Sequence, residues 1–528
     1  MKMTGLDVDF VALPAPVPIW FGQVSAQEWV VAATAVRDGG GRLLALWAGC
    51  TTNTVAVDAH SASAGAIFCA YVSLEGVFWL ALPLVFLDER WVYPDLVPFF
   101  PVAERMQRAA AELSGVYAQD AKDQRPWLNH GAWAAHYFPL RQNTRALPEP
   151  EPGELVDYPF VRVEGEGVHE IAVGPVHAGI IEPGHFRFSV VGEKVLRLEQ
   201  RLGYTHKGVE QRFTQLEPLQ AHRLAGRVSG DSTVAYAWAY CMALESATDT
   251  TIPARAAWLR ALMLERERIA NHLGDLGALG NDAAFAFALS QFSRLREDWL
   301  RGSKAAFGHR LMMDCIAPGG VSRDLDRLQK DQMLNSCEAL EAEVKNLLDV
   351  FESHAGLQDR LMTTGRVTPA LAARLGLTGL AGRASSQAWD VRCDHPFAPY
   401  DQLQVAMATH KNGDVAARVI VRFEEVFESI RLMRRILEEL PVGAIQGPVQ
   451  LPERPSIGAG WVEGWRGEVF VALQFCATEQ GHRIQRCHLH DPSWQNWPVL
   501  EHAIMGNIVA DFPLINKSFN LSYSGQDL

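Results

Sequence analysis

Residues 254–277 read ARAAWLRALMLERERIANHLGDLG, and this stretch decides the fold class of the chain. Its apolar side chains recur at the spacing that places them on one face of a helix. That face comprises Leu259, Leu262, Met263, Arg266, Ile269, Leu273 and Leu276, with Arg266 as its polar member. We therefore predict a long amphipathic helix. Gly277 and Gly280 follow, and we expect them to break the helix because glycine disfavours helix interiors.

Helical patterns extend away from this stretch, and strand patterns lie beyond them. The chain is mainly helical from about residue 202 to Pro441, which ends a second long helix predicted for residues 413–439. Before this region, residues 186–203 (FRFSVVGEKVLRLEQRLG) alternate around a Gly-Glu turn and predict a hairpin. After it, residues 460–473 (GWVEGWRGEVFVAL) predict a strand pair with a turn at 465–467, followed by a short helix and a tail.

The N-terminal part, residues 1–141, mixes short strands with one helix predicted for residues 102–115, which Gly115 ends. Residues 64–87 are apolar over a length that would cross a bilayer. A glutamate and a glycine stand in the middle of this run, however, and a charge there would be costly in a membrane. We therefore predict two strands, 66–74 and 77–86, joined by a turn.

Residues 142–157 (QNTRALPEPEPGELVD) are rich in proline and glutamate and poor in apolar side chains, which is typical of a linker. They would separate a small α/β domain at residues 1–141 from a mainly helical domain with peripheral β-hairpins at residues 158–528. The predicted fold class is therefore α+β. The length of 528 residues, 48% of them apolar, agrees with two or three domains.

Charge and cysteine usage exclude two classes of function. The net charge of −13 argues against nucleic acid as a partner, because phosphate binding needs clustered lysine and arginine. The eight cysteines form no CxxC pair, whereas disulfide frameworks, zinc sites and iron–sulfur sites usually show short paired spacings. We therefore expect buried thiols in a reducing compartment.

Several motifs occur in the same order as in the large subunits of membrane-bound (group 4) nickel–iron hydrogenases and in the homologous 49 kDa core subunit of complex I. They are GPVH at 174–177, EPGHFR at 182–187, RLGYTHKGVE at 201–210, ERERIANHL at 265–273, FGHR at 307–310, PGGV at 318–321, DVR at 390–392 with HP at 395–396, and GD at 413–414. Each string alone is weak, but their shared order over residues 158–528 makes the resemblance specific.

The N-terminal part resembles the 30 kDa subunit of complex I. This likeness rests on the strand pair, on residues 101–115, and on Pro139-Leu140-Arg141. Chains in which the two subunits are fused occur in this superfamily, and such a fusion would explain the position of the linker. The whole pattern resembles the forms called energy-converting hydrogenase-related.

The resemblance also shows what is missing. Hydrogenase relatives hold nickel and iron with two CxxC motifs, RVCGIC and DPCxSC. The corresponding stretches here are RVSGDS at 227–232 and NLSYSG at 520–525. Ser229, Ser232, Ser522 and Gly525 therefore stand where the relatives have four thiolates. A serine hydroxyl is a harder donor with a far higher pKa than a thiol, so we expect no nickel–iron centre.

The relatives from complex I bind a quinone headgroup in the same cleft, through a histidine of the first hairpin loop and a tyrosine. The resemblance places His185 at the histidine, but Gly230 occupies the tyrosine position, with Tyr236 nearby. His185 and His177 are candidate proton donors or headgroup ligands, or else turn histidines bonded to backbone. Glu182 is a candidate proton feeder or a solvated loop carboxylate.

Asp231 lies between the two serines on a mainly apolar stretch, where burial would raise its pKa; a surface hydrogen-bonding role is the alternative. Ser229 and Ser232 would share one helix face if the stretch is helical, and their hydroxyls would fill the vacated pocket. Arg383 and Arg392 are placed beside the same cavity by the resemblance, although structural salt bridges would explain them equally well.

Two functions remain open at this stage. The first is a core subunit of a complex I-like assembly that performs proton-coupled quinone reduction, with His185 and Asp231 as proton groups. The second is a catalytically silent scaffold that couples a redox partner to antiporter-like membrane subunits. A collapsed cavity would favour the scaffold and an open, polar cavity the enzyme. A true hydrogenase is a weak third option that would require nickel.

The resemblance implies the surroundings of the chain as well. We expect an iron–sulfur small subunit that carries all the clusters, together with antiporter-like and quinone-site membrane subunits. The chain itself would hold no cofactor other than a quinone, since no glycine-rich dinucleotide loop is present. It would be peripheral, on the cytoplasmic face of the inner membrane.

Overall fold

A five-stranded mixed sheet forms the centre of the N-terminal part. The computed structural model describes residues 8–50, 65–141, 152–155, 157–178, 181–479 and 481–528. The strands are β1 (Val11–Ala12), β2 (Ile19–Gln23), β3 (Arg42–Cys50), β4 (Gly65–Ser73) and β5 (Gly76–Pro83), in the order β1-β2-β5-β4-β3. Strands β4 and β5 pair antiparallel with Ser73 opposite Gly76, which confirms the predicted hairpin.

Two helices and a small second sheet complete this part. The helices are α1 (Ala26–Asp38) and α2 (Ala103–Ser114), and the sheet contains β6 (Val85–Leu87), β7 (Arg90–Pro94) and β8 (Val116–Gln119). Helix α2 was predicted, and Gly115 ends it in the left-handed conformation with φ of 64°. No helix among the described residues is both long and apolar enough to cross a bilayer.

The predicted linker lies mostly outside the described residues, so its boundaries stay a prediction. Beyond it, an antiparallel sheet is formed by β9 (Val168–Val173), β10 (His185–Val191) and β11 (Lys194–Arg201), in the order β11-β10-β9. The turn between β10 and β11 falls at Gly192 and Glu193, as predicted.

The middle of the chain is helical, with one minimal strand pair. Its elements are α3 (Val209–Phe213), α4 (His222–Ala225), α5 (Thr233–Ala247), α6 (Ala254–Asp282), α7 (Ala286–Phe307), β12 (Ile316–Ala317), β13 (Gly320–Val321), α8 (Arg327–Ser353), α9 (Ala355–Leu361), α10 (Pro369–Leu375), α11 (Gly379–Arg383), α12 (Val391–Asp394), α13 (Tyr400–Leu403) and α14 (Val415–Glu439). A 3-10 turn at Gly230–Ser232 precedes α5. The predicted helix ending before Pro441 is confirmed.

The expected break at Gly277 and Gly280 is wrong, because α6 runs through both residues to Asp282. Helix α7 packs so close to α6 that a Cβ at Gly280 would lie 2.4 Å from the Cβ of Ala288. A Cβ at Gly277 would lie 3.1 Å from the Cβ of Phe292. The two glycines therefore serve helix–helix contact, which outweighs their intrinsic cost in a helix.

A third sheet and three helices follow. They are β14 (Ser456–Glu463), β15 (Glu468–Thr478), β16 (Gly481–His490), α15 (Ser493–Ala503), α16 (Phe512–Phe519) and α17 (Tyr523–Gln526). The predicted strand pair is confirmed as β14 and β15, whereas β16 was not foreseen. The expected tail is instead buried, since Gln526 is fully buried and Asp527 is 2% exposed.

The third sheet joins the two parts of the chain. On one side it packs against α5 so closely that a Cβ at Gly460 would lie 2.0 Å from the carbonyl oxygen of Ala239. On the other side it reaches the N-terminal sheet, where Arg486 Nε donates to the Ala48 carbonyl at 2.9 Å. The observed fold class is α+β, as predicted.

Candidate functional site

In the first motif stretch, residues 227–232, Ser229 and Ser232 do not share a helix face. Ser229 is extended, with φ of −141° and ψ of 122°, directly before the 3-10 turn Gly230–Ser232. Both serine hydroxyls instead donate to Oδ1 of Asp231, that of Ser232 at 3.4 Å. The hydroxyls therefore satisfy one carboxylate rather than line an open pocket.

Arg466, in the turn between β14 and β15, holds Asp231 in a two-pronged ion pair. The distances are 2.9 Å from Nη1 to Oδ1 and 2.6 Å from Nη2 to Oδ2. Burial raises the pKa of the Asp231 carboxyl, but the guanidinium outweighs this effect and holds the pKa at about 2. The prediction of a raised pKa for Asp231 was therefore wrong. The partner that lowers the pKa, Arg466, lies 235 residues away in sequence and could not be foreseen from the local stretch.

The same arginine reaches the downstream stretch. Its Nε donates to the carbonyl oxygen of Asn520 at 2.6 Å, and the Asn520 side chain donates to Asp275 at 2.7 Å. Arg466 is 6% exposed. We call the contacts of Arg466 with Asp231 and Asn520 the Arg466 bridge. It joins the two segments that carry the metal ligands in hydrogenases.

The residues of the second motif stretch, Ser522 and Gly525, are also held by contacts inside the protein. Ser522 accepts through Oγ from the Gly525 amide at 2.9 Å, and its own amide donates to Ser493 Oγ at 2.9 Å. A Cβ placed on Gly525 would lie 2.7 Å from Oδ2 of Asp491. That oxygen accepts from the hydroxyl of the fully buried Tyr236 at 2.7 Å. Tyr236 is thus engaged inside the protein, and a side chain at 525 would collide with its partner.

The first hairpin loop meets this downstream stretch. The Tyr523 hydroxyl lies 3.3 Å from Nε2 of His177, whose Nδ1 lies 3.1 Å from the Pro175 carbonyl. Glu182 accepts from the amide and the hydroxyl of Ser524, both at 3.2 Å. The structure therefore brings His177 and Glu182 to the site and gives each of them an internal partner.

His185 lies elsewhere, beside an open cavity of about 590 Å³. Its Nδ1 lies 3.4 Å from the Gly174 carbonyl, and Arg187 Nε donates to its Nε2 at 3.4 Å. Burial lowers the pKa of the imidazole, so the ring is neutral at pH 7. The cavity is lined by Asp157, Tyr158, Pro159, Phe160, Arg162, Glu170, His185, Arg187, Arg201 and Tyr204. Asp231 is not among these residues.

Asp231 borders a much smaller space, a cavity of about 10 Å³ that it shares with Glu267 and Asn271. This volume is too small for a quinone ring, since ligand pockets typically exceed about 300 Å³. Glu267 was missed by the sequence reasoning. It accepts from the amides of Val234 and Ala235 at 2.6 and 3.1 Å, and burial raises its pKa to about 8.

Arg383 and Arg392 match the salt-bridge alternative. Arg383 is fully buried and donates to Glu463 at 2.8 Å and to Glu425 at 2.7 Å. Arg392 contacts Asp390 at 2.6 Å and Glu265 at 3.1 Å. Neither arginine lines the small cavity at Asp231. Arg466 was also missed, although an arginine in a tight turn between two apolar strands was the available signal.

The residues at the two motif stretches do not fit a nickel–iron centre. Three hydroxyls and a glycine replace the soft thiolate donors, and a guanidinium bridges the two segments. Across the described ranges, no cluster of three or more His, Cys, Asp or Glu side chains has a geometry that could hold a metal. The internal cysteines do not compensate, since burial raises the thiol pKa of Cys241 and Cys487.

Comparison with known proteins identifies two family signatures. Residues 279–460 match the family described as respiratory-chain NADH dehydrogenase, 49 Kd subunit. Residues 23–149 match the family described as respiratory-chain NADH dehydrogenase, 30 Kd subunit. Both predicted likenesses are confirmed.

Curated relatives agree with this assignment. Formate hydrogenlyase subunit 5 of Escherichia coli (strain K12) is 30% identical over 442 residues, covering 82% of this chain and 77% of the relative. The carbon monoxide-induced hydrogenase of Rhodospirillum rubrum is 32% identical, covering 67% and 97%. The C/D subunit of NADH-quinone oxidoreductase from Phocaeicola vulgatus is 29% identical, covering 74% and 79%.

A solved structure shares the fold. A chain of the membrane-bound sulfane sulfur reductase, an archaeal respiratory membrane complex, superposes with a TM-score of 0.64 at 25% identity, covering 69% of this chain and 99% of that one. The chain thus belongs to the family of group 4 hydrogenase large subunits and complex I 49 kDa core subunits, with a complex I 30 kDa-like part fused at its N-terminus.

Proposed function

We propose that this chain is the core subunit of a membrane-bound, complex I-like redox assembly and that it works without a nickel–iron centre. The Arg466 bridge carries this proposal. It places a buried positive charge in contact with both segments that hold metal in hydrogenases, and it pairs that charge with Asp231. The bridge ties the two segments to each other through internal bonds, and hydroxyls do not replace bridging thiolates.

The role that fits this closed interior is coupling. The chain would transmit a change at an iron–sulfur partner subunit to antiporter-like and quinone-site membrane subunits, from the cytoplasmic face of the membrane. The named relatives are subunits of hydrogenases and NADH-quinone oxidoreductases, and the likeness to a respiratory membrane complex agrees with such partners. Membrane attachment would then come from those partners.

Metal analysis of the purified assembly tests the absence of the centre. We expect no stoichiometric nickel and no hydrogen evolution, with a formate hydrogenlyase prepared in parallel as the positive control. A chain carrying cysteine at residues 229, 232, 522 and 525 should also stay free of nickel, because Arg466 remains and a Cβ at 525 meets Asp491. Stoichiometric nickel with hydrogen evolution in the natural chain would refute the proposal.

A quinone site at His185 is the second candidate, favoured by the open cavity there. Its volume of about 590 Å³ lies within the range of small-molecule sites, unlike the space at Asp231. Tyr158, Phe160 and Tyr204 offer aromatic walls, and Arg187 and Arg201 offer donors for carbonyl oxygens. His185 would position a headgroup as a neutral ring and would not donate a proton from a charged form.

Quinone reduction by the whole assembly separates this candidate from a purely coupling role. His185→Ala should raise the KM for quinone several-fold, whereas His169→Ala, on the exposed surface of β9, should leave it unchanged. Turnover that is absent with every quinone, or that ignores His185→Ala, would remove the quinone site and leave the coupling role.

A further inference from the structure

A buried charge cluster lies between the helical part and the third sheet. We call it the Glu463 cluster. Its carboxylates are Glu265, Asp390, Glu425, Glu463 and Glu468, and its guanidiniums are Arg42, Arg268, Arg383 and Arg392. Each of the five carboxylate residues is at most 3% exposed, so these charges are almost fully removed from water.

Ion pairs connect seven of the nine side chains, and the pair of Arg42 and Glu468 adjoins them through the cross-strand pairing of Glu468 with Glu463. Arg383 contacts Glu425 at 2.7 Å, Glu463 at 2.8 Å and Asp390 at 3.6 Å. Arg392 joins Asp390 to Glu265, and Arg268 joins Glu265 to Glu425. Arg42, from the N-terminal sheet, pairs with Glu468. Because seven members share ion pairs and Glu468 lies next to Glu463, a change of charge at one member is felt by the others.

The cluster has one negative charge too many. Five carboxylates face four guanidiniums, and the adjoining His272 is neutral because burial lowers the pKa of its ring. The next guanidiniums outward belong to other carboxylates, Arg422 to Asp275 and Arg466 to Asp231. An uncompensated charge in a dry interior is costly, and binding a proton removes it.

The strand pairing indicates where the excess lies. Glu463 and Glu468 are direct cross-strand partners at the start of the turn between β14 and β15. Like charges in this position destabilise a sheet. Arg42 neutralises Glu468, whereas Glu463 shares Arg383 with Glu425 and Asp390. Glu463 is thus the carboxylate whose negative charge is least compensated by a cation.

Groups from every neighbouring element act on Glu463. Its pKa is raised to about 7 overall: burial and the charges of Asp390, before α12, and Glu468, on β15, raise it, while Arg383 on α11 lowers it. Arg268 on α6 donates to the Glu463 backbone carbonyl at 2.7 Å. Among the described residues, the second carboxyl oxygen, Oε2, meets no other cation and accepts from the Val391 amide at 3.3 Å.

We propose that the Glu463 cluster is a proton-binding site that holds one exchangeable proton per chain, chiefly on Glu463. The proton passes from water to a carboxylate oxygen, and no electron moves in this step. Asp394 places an exposed carboxylate beside the cluster, where it accepts from the Asp390 backbone amide at 2.8 Å. The site stands on the geometry of the cluster and does not require the proposed redox assembly.

The position of this site connects it to the Arg466 bridge. Glu463 ends β14, and the next residues carry Trp465 and Arg466, whose side chains contact Asp231. His272, bonded to Glu425 at 2.7 Å, packs edge-on against Trp465. Proton occupancy at Glu463 therefore changes the charge at one end of the turn that carries the bridge.

Difference titration of the full chain tests the proposal. Between pH 5 and pH 9, the natural chain should release about one proton more than Glu463→Gln, because glutamine keeps the shape of the carboxyl but not its titration. Glu438→Gln, at an exposed position of α14, is the matched control for an ordinary carboxylate. At pH 6, the infrared C=O band of protonated carboxyls should be stronger in the natural chain than in Glu463→Gln, and this difference should fade by pH 8.

The outcomes are distinct. Loss of the near-neutral titration in Glu463→Gln, with retention in Glu438→Gln, supports the site. An unchanged titration in Glu463→Gln overturns it, and the background from Glu267 cancels because both chains contain that residue. Should Glu463→Gln fail to fold, Glu267→Gln removes the known background, and absence of a protonated-carboxyl band that fades between pH 6 and pH 8 in that variant overturns the proposal.

Discussion

Asp231 and Glu463 are both carboxyls in arginine-rich surroundings, yet their pKa values move in opposite directions. Asp231 shares a two-pronged ion pair with Arg466, and its pKa is about 2. Glu463 competes with two other carboxylates for Arg383, and its pKa is about 7. Burial opposes ionisation in both places, so the ratio of cations to anions decides the outcome.

The comparison also distinguishes a buried site with balanced charges from one with an excess of negative charge. The Arg466 bridge is electrically balanced, and it closes the place where relatives hold a metal. The Glu463 cluster is unbalanced, and it keeps one group able to titrate near pH 7. Under the two proposals made above, this family member works without the metal and retains a group that responds to protons.

The largest effect should come from Arg383→Met. This change removes a cation shared by three buried carboxylates and leaves an excess of negative charge without compensation. We expect a loss of about 5 kcal/mol in the free energy of unfolding, or failure to fold, at pH 7. Chemical denaturation measures it. A loss no greater than that of Arg466→Met would contradict the assignment of Arg383 to a shared role.

Arg466→Met should follow in size, with a loss of about 3 kcal/mol. The loss is smaller because the Asp231 side chain is 32% exposed, so water compensates part of its charge. The variant should also increase hydrogen exchange in residues 520–527. Adding Asp231→Asn to Arg466→Met should recover part of the stability. A double variant less stable than both single variants would argue against the ion pair.

The pH dependence of Glu463→Gln should sharpen the comparison. A pKa raised from 4.5 to about 7 means that the folded chain binds the proton more tightly than the unfolded chain. Stability from this group is present below pH 4.5 and is lost as the pH rises towards 7. Glu463→Gln should therefore flatten that decline by about 2–3 kcal/mol. Thermal melts at intervals of pH measure the slope, and an unaltered slope would exclude Glu463.

Asp231→Asn should change the acidic side of the curve of stability against pH, with an effect of about 2 kcal/mol. The folded pKa of about 2 lies below the ordinary value of 3.8, so this carboxyl stabilises the fold above pH 4. That contribution is lost as the pH falls towards 2. The variant should therefore show a shallower acid limb in denaturation experiments. An acid limb identical to that of the natural chain would mean that Arg466 does not hold the charge.

The sequence predicted local structure better than it predicted the site. Hairpins at Gly192 and at 465–467 could be read from alternation, because the strand period is local. Strand β16 was not predicted, because its sequence GHRIQRCHLH is rich in polar side chains. These become buried only by contact with distant elements, such as Arg486 with Ala48. The end of α6 was misplaced because the approach of α7 cannot be seen in the sequence of α6.

The site shows the same limit more sharply. The loss of the four ligand positions could be read directly from Ser229, Ser232, Ser522 and Gly525. The sign of the pKa change at Asp231 could not, because it depends on an arginine 235 residues away. Long-range pairs decide electrostatics, and a single sequence does not display them.

The anchoring of Asp527 has a consequence for synthesis. Its carboxylate accepts from the amides of Gly203 and Thr205 at 2.8 and 3.0 Å, contacts that span 324 and 322 residues. On the ribosome, the residues that follow the strand ending at Arg201 therefore gain these bonds only after Asp527 has been synthesised. Asp527→Ala should for this reason loosen a hairpin made some three hundred residues earlier.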